Sequence, residues 1–499
     1  MQGDKEKDMN LIYEINTHVW LKTLSGKYGK NITLANIPEK EIKQLKKLGF
    51  HAVWLMGVWL SSQKGREIAL NHERLRSEFL NALPDLKNED IVCSPYSIAG
   101  YEPDPSLGDR KGIIDFKERL HKHGLKLILD FVPNHLALDH PWVKEHPEYF
   151  VNGTTQDIEN DQGSFFLTED KEILAHGKDP YFPAWADVVQ LNYFNPQTRK
   201  AMQDVLVNIA SFCDGVRCDM AMLILKRIQK QIWGDRVFSG DKLSEPQTEF
   251  WQDAITEAKK MYPGLLFIAE VYWGLEWELV SLGFDYVYDK SFYDALKETY
   301  VDGIRTNLID EGPLANKRLR FIENHDESRA AAEFSNEKLK AAALLMLSAP
   351  GAHLVHQGQM EGFSKKLSIY LIRAPKEEIN RDTFLFYEKL LLNLKAISKV
   401  NSQWVLRETF PAWEGNPTFR NFFVFSQANS YLAVINYSQT QSQCYVHFDL
   451  GGLKEKSALF KDLLGSAEYT RPMDEINSRG LYLDMPAYGF HLFKIRGAK

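Results

Sequence analysis

FKERLHKHGLKLILDFVPNH, residues 116–135, reads as one unit of a parallel α/β protein. Its first half spaces apolar residues three and four apart and closes at Gly124, where a helix ends in a left-handed cap. Its second half, LKLILD, is a short aliphatic run ending on a charge, the pattern of a strand buried on both faces. The pairing recurs in EKEIKQLKKLGF (39–50), which closes at Gly49 before the next apolar run. Working outward, eight such runs can be counted: LIYEIN (11–16), HAVWLM (51–56), LKLILD (125–130), GVRCD (215–219), LLFIAE (265–270), FDYVYD (284–289), RLRFIEN (318–324) and AHLVHQ (352–357). Eight β-α units imply a (β/α)8 TIM barrel, typically about 250 residues and longer when loops carry insertions.

Here the units spread from residue 11 to residue 395, so insertions are required. The largest follows the third strand, and a smaller one, SSQKGREIALNHERLRSEFL (61–80), lies between the second and third. Beyond residue 402 the texture changes to short aromatic and β-branched runs, FFVFS, YLAVINYS, QCYVHFDL and LYLDMPAYGFHLFKI, which read as an antiparallel β-sandwich. The expected division is a barrel over 1–401, an inserted subdomain over 136–190 and a β-sandwich over 402–499. The insert is rich in aromatic residues (HPWVKEHPEYF, DPYFPAWADVV), expected to serve as its own core, since so short a segment buries little else.

Of the 499 residues, 44% are hydrophobic and 25% charged, which excludes wholesale disorder. A net charge of −7 is too mild and of the wrong sign for the counterion release that drives nucleic-acid binding. The start, MQGDKEKDMN, has no apolar stretch, and no run approaches the ~18 apolar residues of a membrane span. A cytoplasmic protein, with neither nucleic acid nor membrane as partner, is expected. Cys93, Cys213, Cys218 and Cys444 are too scattered for a disulfide framework or a CxxC zinc site. His121 and His123 stand at a helix end, where imidazoles favourably face the dipole, so metal is discounted there.

In a barrel of this kind chemistry collects where strands end. The third strand ends in Asp130 and runs into Asn134 and His135; the fourth carries Arg217 and Asp219; the fifth ends in Glu270; the seventh leads to His325 and Asp326. Singly, each has an ordinary explanation as a cap or a satisfied polar residue. Together they place three carboxylates, two histidines and an arginine at one mouth. Two carboxylates flanking a bond are what glycosidic cleavage needs, one ionised and one protonated. Arg217, two residues before Asp219 on the same strand, points to the same side and would keep Asp219 ionised, leaving the raised pKa to Glu270.

DFVPNH (130–135), GVRCD (215–219), FIAEV (267–271) and FIENHD (321–326), in this order, resemble the four signature regions of the α-amylase family of glycoside hydrolases (glycoside hydrolase family 13). SPYSIAGYEPDPSLG (94–108), WADVVQLNYFNPQTRKAM (185–202) and HQGQMEG (356–362) resemble it as well. The resemblance implies a retaining mechanism, with Asp219 as nucleophile, Glu270 as general acid/base and Asp326 as the third carboxylate, which binds sugar hydroxyls. It implies that Arg217 orients Asp219, that His135 and His325 bind the sugar on the non-reducing side and that Tyr96 stacks beneath it. Asp130, Asn134 and Tyr101 take supporting roles. In calcium-dependent members the counterpart of Asn134 is a ligand. Calcium needs six to eight oxygens, and candidates such as Asp187 do not visibly complete a shell, so no cofactor is required and structural calcium is not favoured.

One departure makes this an atypical member. After the nucleophile the chain reads DMAMLIL (219–225), with Met222 and Leu223 where many relatives carry Lys-His, which implies a less polar leaving side. The expected activity is a retaining α-glycosidase or transglycosylase on α-glucosidic bonds of malto-oligosaccharides or α-glucans. The alternative is a rearranging or transfer enzyme on a disaccharide such as sucrose, trehalose or maltose. A non-catalytic carbohydrate-binding barrel is disfavoured because all three carboxylates and Arg217 are present. Oligomeric state is not legible.

Overall fold

The computed structural model describes residues 11–239, 243–309, 312–400, 404–451 and 453–498. Eight parallel strands close a barrel: β1 (Leu11–Asn16), β2 (Ala52–Met56), β3 (Lys126–Phe131), β4 (Gly215–Cys218), β5 (Leu266–Ala269), β6 (Tyr286–Tyr288), β7 (Arg318–Arg320) and β8 (Ala352–His356). Neighbours in sequence are neighbours around the barrel, and β8 closes onto β1. All eight runs found in the sequence are these strands, some shorter than expected. β7 pairs only over Arg318–Arg320, so Glu323 to Asp326 lie above the ladder.

Burial on both faces explains why the strands read as near-continuous apolar runs. Inward, Ile12, Trp54, Ile128, Ile268, Tyr288 and Leu354 fill the barrel; outward, residues such as Val53, Leu127 and Val216 meet the helices. The helix Glu39–Leu48 turns Ile42, Leu45 and Leu48 inward and ends at Gly49, whose left-handed backbone (φ 102°) lets its N–H reach the Leu45 and Lys46 carbonyls. The helix Arg110–Lys122 is capped by Asp109 at its start and by His123 at its end, one residue before Gly124.

The insert forms a four-stranded antiparallel sheet from His135–Ala137, Phe165–Leu167, Ile173–Gly177 and Trp185–Gln190. Its aromatics divide. Phe150 and Phe165 are buried as expected, but Tyr181 and Phe182 are 66% and 70% exposed, because Asp179 Oδ1 accepts from both of their backbone N–H groups and turns the loop outward.

After the helix Arg381–Ile397 comes a six-stranded antiparallel sheet, Val405–Arg407, Phe422–Gln427, Tyr431–Asn436, Phe490–Ala498, Ser457–Asp462 and Glu468–Pro472 in spatial order. A three-stranded sheet of Thr409–Phe410, Ser442–Val446 and Leu481–Met485 faces it. Alternation along Phe422–Gln427 divides its side chains between two cores. Phe422 and Val424 enter the core between the sheets, and Phe423 and Phe425 join the core of the barrel. The expected boundary at 401/402 and the opening MQGDKEKDMN lie outside the described residues.

Candidate active site

Strand register assembles the site. Arg217 on β4 is level with Asp130 on β3 and Ile268 on β5, so Asp219 and Glu270 emerge just past the last paired residues of their strands. The fully buried Arg217 guanidinium donates from Nη1 to Asp219 Oδ1 (2.8 Å) and from Nη2 to Glu270 Oε2 (2.5 Å). Asp130 Oδ1 stands 3.5 Å from Nη1 and accepts from Trp54 Nε1 at 3.2 Å. The rings of Trp54 and Tyr96 each lie 5.1 Å from the guanidinium, a cation–π setting that further confines it. Glu270 also accepts from the Met220 N–H (2.9 Å) and the Tyr272 hydroxyl (2.7 Å). Met220 makes its contact from a left-handed backbone (φ 39°), strain of the kind functional loops hold.

Across the mouth, His325 Nδ1 meets Glu14 Oε1 at 2.5 Å, while Nε2 lies 2.7 Å from the Tyr96 hydroxyl and 3.0 Å from Asp326 Oδ2. Burial disfavours the imidazolium, but Asp326 and Glu14 outweigh it and raise His325 to about 10. His325 in turn holds Asp326, whose side chain is 45% exposed, well below the usual carboxylate range against the burial it does have. Burial pushes Asp130 up to about 6 despite Arg217 and His325. Burial likewise pushes Asp219 well above its ordinary value, with Arg217 opposing and Glu270, Asp130 and Asp326 adding to the rise.

This differs from the expected split. Arg217 is shared between two carboxylates, and burial raises Asp219 although Arg217 touches it. Five carboxyl groups, Glu14, Asp130, Asp219, Glu270 and Asp326, face two cations, Arg217 and His325. An excess of that size in a buried site obliges the cluster to retain a proton.

His135 is buried against Trp185 (ring centroids 5.2 Å apart), and burial lowers it to about 4, so it is neutral at pH 7. Tyr101 grips the β3 loop, its hydroxyl 3.0 Å from both the N–H and the C=O of Val132. Asn134 Oδ1 accepts from Gln190 Nε2 (2.9 Å), and the Asp187 carbonyl accepts from Ser97 Oγ (3.0 Å). Among the described residues no group of three or more His, Cys, Asp or Glu is gathered as metal ligands. His121 and His123 pair with Asp214 and Glu39. Met222 and Leu223 do not line the mouth: the chain folds into a tight turn at Ala221–Ile224 and buries both. Three residues beyond Glu270 in the chain, Trp273, left-handed (φ 66°) and exposed, meets Tyr181 of the insert edge-on at 5.1 Å.

Sequence reasoning passed over Glu14, Trp54, Tyr272 and Tyr288, whose hydroxyl lies 3.3 Å from Arg217 Nε. Glu14 was detectable: in LIYEIN it is the one charge, at an inward position of a buried strand, where an unpaired carboxylate is costly. Because the folded pKa of His325 lies above its unfolded value, the stability it contributes is complete below about 6.5 and is lost as pH rises toward about 10. Glu14→Gln removes one of the two acidic neighbours, so the alkaline fall in stability is expected to move toward neutrality by roughly one pH unit. Denaturant midpoints measured across pH test this, and an unmoved limb would discard the assignment.

A closed parallel barrel with acidic groups and an arginine gathered at the carboxyl ends of its strands is the frame of a large class of enzymes acting at that mouth. The family model described as Alpha amylase, catalytic domain matches residues 33–400, and the chain belongs to the α-amylase family. It is 26% identical over 288 residues to an α-amylase of Haloarcula japonica, covering 56% of this chain and 38% of that protein. It is 22% identical over 371 residues to a 4-α-glucanotransferase of Thermotoga neapolitana, covering 70% and 71% of the two. The match thus spans well under half of the Haloarcula protein. Among solved structures, a maltogenic α-amylase of Thermotoga neapolitana superposes with a TM-score of 0.66 at 21% identity over 98% of this chain and 99% of its own. The α-amylase of Geobacillus thermoleovorans complexed with acarbose gives 0.64 at 17% identity over 98% and 99%.

Proposed function

We propose that the protein is a retaining enzyme that opens α-glucosidic bonds of malto-oligosaccharides or α-glucans through a covalent glycosyl-enzyme. The observation that carries this reading is the single guanidinium bridging Asp219 and Glu270. Holding two carboxylates on neighbouring nitrogens of one planar group suits the roughly 5–5.5 Å spacing of retaining enzymes and leaves little room for the water that inverting enzymes admit between them.

In this reading Glu270 gives its proton to the glycosidic oxygen as an Asp219 oxygen bonds to the anomeric carbon and the C–O bond breaks. Glu270, now a carboxylate, then takes a proton from water or from a sugar hydroxyl, whose oxygen displaces Asp219. Asp219 must be ionised to attack, and in the free mouth burial favours its protonation. Arg217 touches both Asp219 and Glu270 and so lies between the nucleophile and the acid. Asp326, anionic beside His325, receives sugar hydroxyls, and Tyr96 and His135 bound the sugar opposite the leaving side. Asp130 and Tyr101 hold Arg217 and the β3 loop, and Asn134 fastens the insert to the barrel through Gln190.

A product profile on maltotriose, maltose, sucrose, trehalose, pullulan and amylose, with and without an added sugar acceptor, tests this reading. Turnover of none of them would overturn it. The second reading, transfer to a sugar, is supported by the exposed Trp273, three residues beyond the acid in the chain, and its neighbour Tyr181, where an acceptor ring can stack and compete with water. Trp273→Ala is expected to lower the share of transfer products by roughly threefold while maltotriose consumption changes less. An unchanged product ratio would remove that role.

A cytoplasmic setting accords with four buried, unlinked cysteines. Among the described residues no helix is long and apolar enough to cross a membrane.

A further inference from the structure

On the face of the barrel opposite the mouth, the N-terminal ends of β3, β4 and β5 border a cleft of about 580 Å³, a volume within the roughly 300–1,000 Å³ of small-molecule sites. Three ammonium groups line it, those of Lys46, Lys117 and Lys126, and Asp214 is the one carboxylate among its lining residues. The turn between the helix Phe250–Met261 and β5 adds the exposed Met261 and the half-buried Tyr262.

The positive charge is held in place. The Lys117 side chain is only 19% exposed, and its Nζ donates to the Cys213 carbonyl at 2.8 Å, which fixes the ammonium without neutralising it. Asp214 stands 3.7 Å from that nitrogen and is already engaged elsewhere: its Oδ2 accepts from the Leu127 N–H at 2.8 Å, and His121 Nε2 lies 2.9 Å from both of its oxygens. Lys46 and His121 have an ordinary explanation, since both stand in the last turns of helices, where cations complement the dipole. Lys117, in the middle of its helix, and Lys126, the first residue of β3, gain nothing of that kind. A cation that is four-fifths buried is costly unless a counter-charge meets it, and a concave surface of one sign concentrates its potential on a small ion of the other. A phosphate group, with about two charges and only acceptor oxygens at neutral pH, matches a set of lysine donors. Met261 and Tyr262 offer the body of an ester an apolar surface beside them.

We propose that this cleft is a binding site for a phosphate group, free or borne on a small sugar or nucleoside, with Lys117 and Lys126 as its principal donors. It lies at the opposite strand ends from Asp130, Arg217 and Glu270, so it is separate from the mouth and does not depend on the function proposed for it.

The test titrates the full-length wild type, Lys126→Gln and Lys117→Gln calorimetrically with glucose 6-phosphate, inorganic phosphate and glucose, with circular dichroism to confirm folding. The expected result is binding of glucose 6-phosphate by the wild type that weakens roughly tenfold in each variant and also weakens on addition of sodium chloride. Whatever glucose binds should be the same in all three proteins, because it carries no charge for the lysines. Tighter binding of the ester than of inorganic phosphate identifies the ester as the ligand, and equal binding identifies the free anion; both uphold the site. Should Lys117→Gln fail to fold, Lys126→Gln decides, since Lys126 stands at a strand end. Absence of binding of either phosphate by the wild type, or undiminished binding by either folded variant, overturns the site.

Discussion

Asp219→Asn is expected to lower turnover of maltotriose by about ten-thousandfold or more, while the protein folds as the wild type does. The amide keeps the shape of the side chain and can still accept from Arg217 Nη1, but it cannot supply the electron pair that forms the glycosyl bond. The buried, proton-retaining site gains rather than loses by neutralising a carboxyl group that burial already disfavours, so the thermal midpoint should hold or rise. A slow fluorinated α-glucosyl donor should add the mass of one sugar to the wild type and nothing to the variant. Equal turnover by the two proteins would end the assignment of Asp219 as nucleophile.

Arg217→Met carries the second large effect, on the fold as well as on the chemistry. Its side chain is buried among Asp130, Asp219 and Glu270, and removing the one guanidinium leaves those carboxyl groups facing one another. Breaking a buried pair on one side costs about 3–5 kcal/mol. The pH dependence separates this from simple loss of packing. Without Arg217 the pKa values of Asp130 and Asp219, already raised, rise further, so the deficit is greatest at high pH and shrinks as pH falls through them. Denaturant midpoints at several pH values measure it, and a deficit independent of pH would assign the loss to packing. Arg217→Lys should recover little, since an ammonium cannot reach two carboxylates from one plane.

The barrel was legible because strands buried on both faces, alternating with amphipathic helices, leave a pattern strong enough to survive insertions. The position of the acidic groups was legible for the related reason that a charge ending such a run has only the mouth to occupy. The rise of Asp219 was not, because it depends on its burial and on Arg217 being shared with Glu270, which the Met220 N–H and the Tyr272 hydroxyl also reach once the loops after β4 and β5 have folded over each other. Exposure of aromatics escaped for a similar reason. Nothing local distinguishes Tyr181 and Phe182, turned outward by Asp179, from Phe150 in the core, and Met222 and Leu223 owe their burial to a turn that the run DMAMLIL does not announce.

The strand Phe422–Gln427, with one face in each core, bears on how the chain assembles and on how it can be cut. Phe423, Phe425, Ala433, Ile435 and Leu492 belong to the same apolar mass as the barrel helices, and Tyr437 donates its hydroxyl to the Leu296 carbonyl. Separating the sandwich from the barrel would bare a wide greasy surface on both pieces. The two parts are therefore bound to melt together, and a barrel shortened at residue 400 would aggregate where the intact chain stays dispersed.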